Sequence, residues 1–185
     1  IKSYEQNLAA RQEYAELSKM AGVKNRAGAG LLADGKKTDE DSSTKNSEKK
    51  RRKKQRRSSE SKNKNCTDEI RESFGISWEN LRKINSQTVA WITVPGADIS
   101  YPVVQAADDE YYLKHNFRGE EDLFGCIFLE HDIKKNFTDS HSILYGHNIE
   151  GNMMFANLNR YEQPEFLKKC PEIEITTPKR KFLYK

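Results

Sequence analysis

The first apolar pattern in the chain has the period of an α-helix. Four residues recur at spacings of four, three and four, which places them on one helical face: Ala10, Tyr14, Leu17 and Ala21. Gly22 follows directly and is a typical helix stop. Residues 1–34 are therefore predicted to hold one amphipathic helix, which we interpret as an N-terminal stalk.

After residue 66 the apolar pattern returns and then changes its period. Trp78, Leu81 and Ile84 share one face of a second short helix. Ser77 is placed to cap this helix. Short β-branched and aromatic runs follow: TVAWITV, ISYPVV, CIFLE, SILY, IEITT and KFLY. Because no long helices alternate with these strands, the pattern predicts a mainly β fold, a barrel or sandwich with a few helical insertions.

Turn signals separate the predicted strands, among them Pro95-Gly96 and Gly146-His147-Asn148. The segment after the second turn, GNMMFANLNRY, has Met154, Leu158 and Tyr161 at spacings of four and three. We therefore predict that this segment is an inserted helix.

Charge divides the chain more sharply than its net value of +4 indicates. Residues 35–65 contain no hydrophobic residue and carry 13 Lys/Arg against 5 Asp/Glu, a net charge of +8. Residues 66–185 carry 14 basic and 19 acidic residues, a net charge of −5. A segment without apolar side chains cannot offset the entropy of ordering. We therefore predict a disordered basic linker over residues 35–66 and a folded domain over residues 67–185.

The three cysteines give no strong signal. Cys66, Cys126 and Cys170 are an odd number without CxxC spacing, which indicates neither a disulfide framework nor a zinc site. We interpret them as buried or surface thiols.

His147 lies between a glycine and an asparagine at the end of a predicted strand. A lone histidine at such a place is more often structural than catalytic, because an imidazole can simply bond a nearby backbone group. A metal site is disfavoured, since His131, His141 and His147 have spacings that match no common ligand pattern. The residues by themselves leave the role of His147 open.

Four blocks of sequence, in order, carry a resemblance to a known family: TVAWITVPG, DISYPVVQAADDEYYL, NFRGEEDLFGCIFLEHD and YGHNIEGNMMFANLNRY. Over the region from Trp78 to Lys185, the chain resembles the class B sortases of Gram-positive bacteria. One motif departs from the family pattern, because one extra residue separates Gly151 from the Met-Phe pair that ends at Phe155. Residues 1–65 carry no part of the resemblance.

The resemblance implies a sortase-type closed β-barrel with N-terminal and inserted short helices, incomplete in this chain. It also implies a cysteine transpeptidase, which cleaves a C-terminal sorting signal and transfers the acyl part through a thioester to an amine. His147 matches the catalytic histidine of the family. The chemistry needs such a group, because an imidazolium can protonate the amine leaving group and the neutral ring can later take a proton from the acceptor.

The nucleophile of the family is a cysteine in a Thr-Leu-x-Thr-Cys strand, followed further on by an arginine for the oxyanion. This chain has no such segment, and the contexts of Cys126 and Cys170 do not match it. The chain begins at Ile1 and stops at Lys185 within a predicted strand. We therefore interpret it as a piece of a longer protein, place the catalytic cysteine and arginine beyond Lys185, and expect the fragment alone to be inactive.

The resemblance also implies a groove for the sorting-signal peptide, to which Asp109, Leu113 and Tyr145 would contribute. Ordinary packing is an equally good interpretation of Leu113 and Tyr145. The acceptor would be an amine of peptidoglycan or of a pilin, and neither a metal nor a cofactor is expected. The enzyme would lie on the extracellular face of the membrane, with residues 1–34 as a membrane-proximal stalk and a transmembrane anchor upstream of Ile1.

The basic tract from Lys49 to Arg57, KKRRKKQRR, would by itself indicate nucleic acid or anionic lipid. No hydrophobic segment separates it from the domain, so both would lie outside the cell. There an anionic wall polymer or lipid is the expected partner, no specific nucleic acid is expected, and a plain spacer is an equal alternative. The whole chain also admits a second hypothesis, a catalytically dead sortase-like binding module with a polyanion-binding arm.

Overall fold

The computed structural model describes residues 2–23, 75–149 and 151–185. The whole predicted linker over residues 35–66 lies outside these residues, and with it the basic tract from Lys49 to Arg57 and Cys66. None of the helices in the described ranges is both long enough and apolar enough to cross a bilayer.

Helix α1 spans Lys2–Met20 and packs on the β-sheet. The four residues that the periodicity placed on one face are all buried, and this prediction is confirmed: Ala10, Tyr14, Leu17 and Ala21. Gly22 follows with a φ of +75°, a conformation that glycine adopts without steric cost. The apolar face of α1 therefore belongs to the same core as the sheet.

Helix α2 spans Trp78–Ile84, as the sequence predicts, and buries Leu81. Ser77 occupies the N-cap position, but its side chain makes no capping hydrogen bond. The short helix α3 spans Pro164–Lys169 and begins with proline, which suits the first turn because its missing N–H would have no helical partner there.

In the part of the chain that the structure describes, eight strands carry the β part of the fold. The larger sheet contains β1 (Thr88–Val94), β2 (Ile99–Val104), β3 (Ile127–Leu129), β4 (Leu144–Tyr145), β7 (Ile173–Thr176) and β8 (Lys181–Tyr184). Their order across the sheet is β4-β3-β2-β1-β7-β8. The pair β2–β3 is parallel, and the other neighbours are antiparallel. A separate hairpin pairs β5 (Asn148–Ile149) with β6 (Met153–Met154).

The mainly β architecture is confirmed, and the sheet forms an incomplete barrel. Within the described ranges, β4 and β8 are the two ends of the sheet order, so the barrel does not close there. All six residues of β2 are buried, and six of the seven in β1 are. Such continuous burial explains why these two strands lack apolar–polar alternation and are the clearest β runs in the sequence.

The predicted inserted helix after residue 150 is wrong in its first part. Met153 and Met154 form strand β6, and a 3-10 helix follows over Ala156–Glu162. Pairing with β5 takes the two methionines out of any helix, because Asn148 lies opposite Met154 in the register. Met154 is buried, and Leu158 and Tyr161 pack against the core, as the spacing indicated.

Candidate functional site at His147

His147 occupies the short connection between β4 and β5. Its carbonyl oxygen accepts a hydrogen bond from the backbone N–H of Phe155 at 2.9 Å, so His147 lies at the base of the β5–β6 hairpin. The ring of Phe155 lies against Gly146, where an added Cβ would come within 2.8 Å of it. A glycine is therefore needed at this turn for the aromatic ring to pack beside the histidine.

A second element, the 3-10 helix η1 (Tyr111–Leu113), contacts the ring of His147. Helix η1 follows strand β2 through a short loop. Asp108 caps η1, since its Oδ1 accepts from the N–H groups of Glu110 at 2.9 Å and Tyr111 at 2.8 Å. These bonds hold the pKa of the Asp108 carboxyl below its usual value. The cap fixes the backbone of η1, including the carbonyl at its end.

The β4–β5 connection and η1 are joined by one hydrogen bond. Nε2 of His147 lies 2.7 Å from the carbonyl oxygen of Leu113, so Nε2 carries a proton and donates it to this acceptor. In the neutral ring, Nδ1 then holds the free lone pair. Within the described residues, no group forms a hydrogen bond to Nδ1. The half-buried ring is thus held in one orientation by a backbone group, while its other nitrogen remains available.

Tyr145 precedes His147 by two residues and is 37% exposed. Its ring centroid lies 5.1 Å from that of Phe128, directly across the β3–β4 pair. Burial first, and then the nearby charges of Glu130 and Asp109, raise the pKa of the Tyr145 hydroxyl. Tyr145 therefore presents a rigid, half-exposed aromatic edge beside the histidine.

Asp109 makes different contacts from the other three residues predicted for the site. Its Oδ1 accepts from the backbone N–H of His131 at 2.8 Å, and its Oδ2 lies 2.8 Å from Nδ1 of the same histidine. The hydrogen bond to Asp109 raises the pKa of His131. Asp109 thus ties the β2–η1 loop to the loop after β3, and the structure shows no hydrogen bond from it to His147.

The structure therefore brings Leu113 and His147 into direct contact. Tyr145 lies two residues before His147 and packs on Phe128, and Asp109 binds His131 rather than either of the first two residues. Sequence reasoning missed Gln105, whose buried amide donates to the carbonyl oxygens of Glu130 and Ile133, both at 2.7 Å. It also missed the Asp108 cap. The aspartate before a short helix was a usable signal, whereas nothing local to Gln105 indicates which distant carbonyls it binds.

Neither described cysteine is a nucleophile. Cys126 is buried, its Sγ lies 3.4 Å from the Tyr14 hydroxyl, and burial raises the pKa of its thiol far above the usual value. Such a thiol is inert, because the thiolate is the reactive form. Cys170 is buried and disulfide-bonded, which corrects its interpretation as a thiol. Among the described residues, no cluster of three His, Cys, Asp or Glu side chains is arranged to hold a metal ion.

Similar proteins and similar solved structures both point to one family. No family model matches the chain. A curated sortase B of Listeria monocytogenes is 36% identical over 107 residues, which are 58% of this chain and 42% of that protein. A class B sortase of Streptococcus pyogenes involved in pilus biogenesis has a solved structure that matches with a TM-score of 0.56 and 35% identity, covering 59% of this chain and 60% of that one.

A third match is the Staphylococcus aureus sortase B–substrate complex, with a TM-score of 0.54 and 33% identity over 57% of this chain and 49% of that one. The chain spans less than half the length of the curated Listeria protein that it matches. The incomplete barrel with its short helices defines a sortase-type fold. The sequence similarity narrows this assignment, and the matched part of the chain is similar to the class B sortases in both sequence and fold.

Proposed function

We propose that the protein to which this chain belongs is a sortase transpeptidase in which His147 is the general acid and base. The orientation of the ring carries the proposal. Its Nε2 is fixed on the Leu113 carbonyl at 2.7 Å, and its Nδ1 has no partner among the described residues. A catalytic imidazole needs this combination, one nitrogen for orientation and the other for proton transfer.

The reaction would proceed in two steps. A cysteine thiolate attacks the scissile amide carbonyl, the C–N bond breaks, and the leaving amine takes a proton from the imidazolium of His147. The resulting thioester is attacked by an acceptor amine, which gives its proton to the neutral ring as the C–S bond breaks. The new amide leaves, and the thiolate is regenerated. Neither Cys126 nor Cys170 is suited to this role. From the resemblance to the class B sortases, we place the nucleophile and its arginine beyond Lys185.

The substrate would be the sorting signal of a secreted protein, and the acceptor an amine of peptidoglycan or of a pilin. Two relatives support this range, since one is a sortase B–substrate complex and the other a class B sortase involved in pilus biogenesis. Leu113 and Tyr145 would line the peptide groove beside His147. Asp109 would act at its edge through the bond to His131. This activity places the enzyme on the extracellular face of the membrane, with an anchor upstream of Ile1.

The test compares three histidines in the protein as encoded by its gene, including any residues that follow Lys185. His147→Ala should lower transpeptidation of a sorting-signal peptide by roughly 10²–10⁴, the usual contribution of general acid–base catalysis. The melting temperature should change little, because the half-buried ring contributes little to the core. His141→Ala is the matched control and should retain most of the activity. His131→Ala should also retain most of it, with a loss far smaller than that of His147→Ala, because His131 acts only through Asp109 at the edge of the groove.

A structural role for His147 would give the opposite result, with unfolding of His147→Ala or an equal loss of activity in His141→Ala. The alternative function is a catalytically dead sortase-like module that binds peptide and uses the basic tract to hold a polyanion. The inert state of the described cysteines favours this alternative. Peptide binding by the whole protein without thioester formation or turnover would establish it.

A further inference from the structure

Helix α1 contacts both sides of the His147–Leu113 hydrogen bond. On the η1 side, the buried Tyr14 hydroxyl donates to the carbonyl oxygen of Gly125 at 2.9 Å. The next residue, Cys126, donates its N–H to the carbonyl oxygen of Tyr112 within η1 at 3.0 Å. Tyr14 of α1 is thus connected through two hydrogen bonds to the helix that ends in the Leu113 carbonyl.

On the hairpin side, the contact comes one turn earlier in α1. The Arg11 guanidinium donates to the carbonyl oxygen of Gly151, in the turn between β5 and β6. Asn7 orients this guanidinium by accepting from its Nε at 2.6 Å. A Cβ on Gly151 would lie 2.1 Å from the Asn7 amide, so the turn is packed tightly against α1.

The hairpin requires such support, because its backbone is strained. Asn152 and Met154 have φ values of +55° and +50°, in the left-handed region that residues with a Cβ disfavour. A strained backbone conformation persists only where the surrounding contacts stabilise it enough to offset its cost. Met154 is held by burial of its side chain and by a backbone hydrogen bond to the Tyr101 hydroxyl. The Tyr101 ring in turn packs edge-on against Tyr14 of α1, with centroids 5.1 Å apart.

We propose that α1 is part of the active-site framework and that Arg11 is a positioning residue for His147. Arg11 fixes the position of the β5–β6 turn by its hydrogen bond to the Gly151 carbonyl. Because the two strands of the hairpin are paired, the position of the turn limits the movement of the base, where the Phe155 N–H binds the His147 carbonyl. Tyr14 holds η1 from the same helix, so one rigid element sets the distance between the imidazole and the Leu113 carbonyl. The catalytic part of this inference rests on the proposed function, whereas the structural part does not.

The first test observes the imidazole itself. In the 185-residue chain, NMR of the His147 ring should show one tautomer, with Nε2–H protected by the Leu113 carbonyl. Arg11→Ala should mix the tautomers and speed exchange of this proton with solvent on the order of tenfold, because the hairpin opens locally. Arg11→Lys should restore part of the protection, since an ammonium can still donate to the Gly151 carbonyl.

Lys19→Ala is the matched control, because it removes one positive charge from an exposed position of the same helix. It should leave the His147 signals unchanged. If Arg11→Ala does not fold, Arg11→Lys and Asn7→Ala carry the test, and both should show intermediate exchange. The proposal is overturned if the His147 signals in the folded Arg11 variants match the wild type, or if Lys19→Ala changes them equally.

The second test measures transpeptidation in the whole protein as encoded. A displaced catalytic group lowers the chemical step more than substrate binding. Arg11→Ala should therefore lower kcat on the order of tenfold with little change in KM, and Arg11→Lys should recover part of it. A change in KM alone would overturn the positioning role. If the whole protein proves inactive, the proposed function fails, while the NMR comparison still decides whether Arg11 orients His147.

Discussion

Two regions meet in the hydrogen bond between His147 and the Leu113 carbonyl, and they are built in different ways. The η1 side is the 3-10 helix that ends at Leu113, and the hairpin side is the β5–β6 hairpin with His147 at its base. The η1 side is held mainly by hydrogen bonds to backbone groups, with Asp108 bound to the N–H groups at the start of η1 and the Cys126 N–H bound to the Tyr112 carbonyl. The hairpin side has two short strands of two residues each and two positive φ angles at non-glycine residues. Its conformation depends on side chains from elsewhere in the chain, above all Arg11.

The difference indicates where the site is rigid and where it can adjust. Close-packed backbone transmits strain and tolerates almost no added volume. A strained hairpin held by a few long side chains can relax when one of them is lost. We therefore expect the largest stability effects on the η1 side and smaller, more adjustable effects on the hairpin side. Substitutions at three positions, Gly125, Glu13 and Asn152, test this expectation.

The largest effect is expected at Gly125, on the η1 side. Its φ is +56°, and a Cβ there would lie 2.3 Å from the carbonyl oxygen of Tyr112. Gly125→Ala therefore combines the cost of a left-handed alanine with a clash against backbone. We expect the free energy of unfolding to fall by about 3 kcal/mol or more, measured by urea denaturation.

Gly119→Ala is the control for the φ angle alone. Gly119 has a φ of +80°, and its Cβ would meet only the Tyr111 hydroxyl, at 3.3 Å. This variant should lose about 1–2 kcal/mol. Equal losses in the two variants would show that the contact with Tyr112 is not tight, and the contrast between the two sides would weaken.

An intermediate effect is expected at Glu13, on the helix that connects both sides. Burial, partly offset by Arg118, raises the pKa of the Glu13 carboxyl to about 7. In the unfolded chain this pKa is about 4.3. Glu13 therefore contributes stability that is fully present below pH of about 4.3 and is lost as the pH rises through about 7. We expect a loss of about 2 kcal/mol between pH 5 and pH 8 through this group.

Glu13→Gln should remove this component of the pH dependence, so the variant should gain stability relative to the wild type at pH 8. Glu16→Gln is the matched control, since Glu16 also lies 3.7 Å from Arg118 but is 67% exposed. It should leave the slope unchanged. Parallel curves of unfolding free energy against pH for the wild type and Glu13→Gln would contradict the prediction.

The smallest effect is expected at Asn152, on the hairpin side. Asn152 is exposed and has a φ of +55°, which glycine adopts more readily. Asn152→Gly should raise the free energy of unfolding by about 0.5 kcal/mol, and Asn152→Ala should lower it by about 1 kcal/mol. If thermal unfolding gave the two variants the same stability, the backbone strain in the hairpin would be too small to matter.

The sequence predicted best where burial is continuous or strictly periodic. The runs TVAWITV and ISYPVV coincide with β1 and β2, and the buried face of α1 is the predicted one. In these segments the side-chain pattern reflects a single environment along the element. Prediction was weaker for β4, β5 and β6, which have two residues each, because such short strands exist only through their partners.

In the candidate site, too, residues could be predicted from local sequence, whereas their contacts with distant residues could not. His147 could be singled out from its turn and its resemblance to the class B sortases, and Leu113 and Tyr145 from the matching blocks. The contact between Nε2 of His147 and the Leu113 carbonyl spans 34 residues, and that between Arg11 and Gly151 spans 140. Asp109 was placed in the groove, but the partner that it binds, His131, is 22 residues away.

The sequence alone therefore determined which residues are buried in the longer elements, where the turn with His147 lies, and that the chain has no free cysteine in the expected catalytic context. Tertiary structure decided which atoms meet: which nitrogen of His147 is bound, that Cys126 is inert, and that α1 supports both sides of the site. The reason is physical. Local periodicity depends on the covalent geometry of neighbouring residues, which the sequence states directly. A hydrogen bond between distant residues depends on the packing of every element between them, which no local pattern contains.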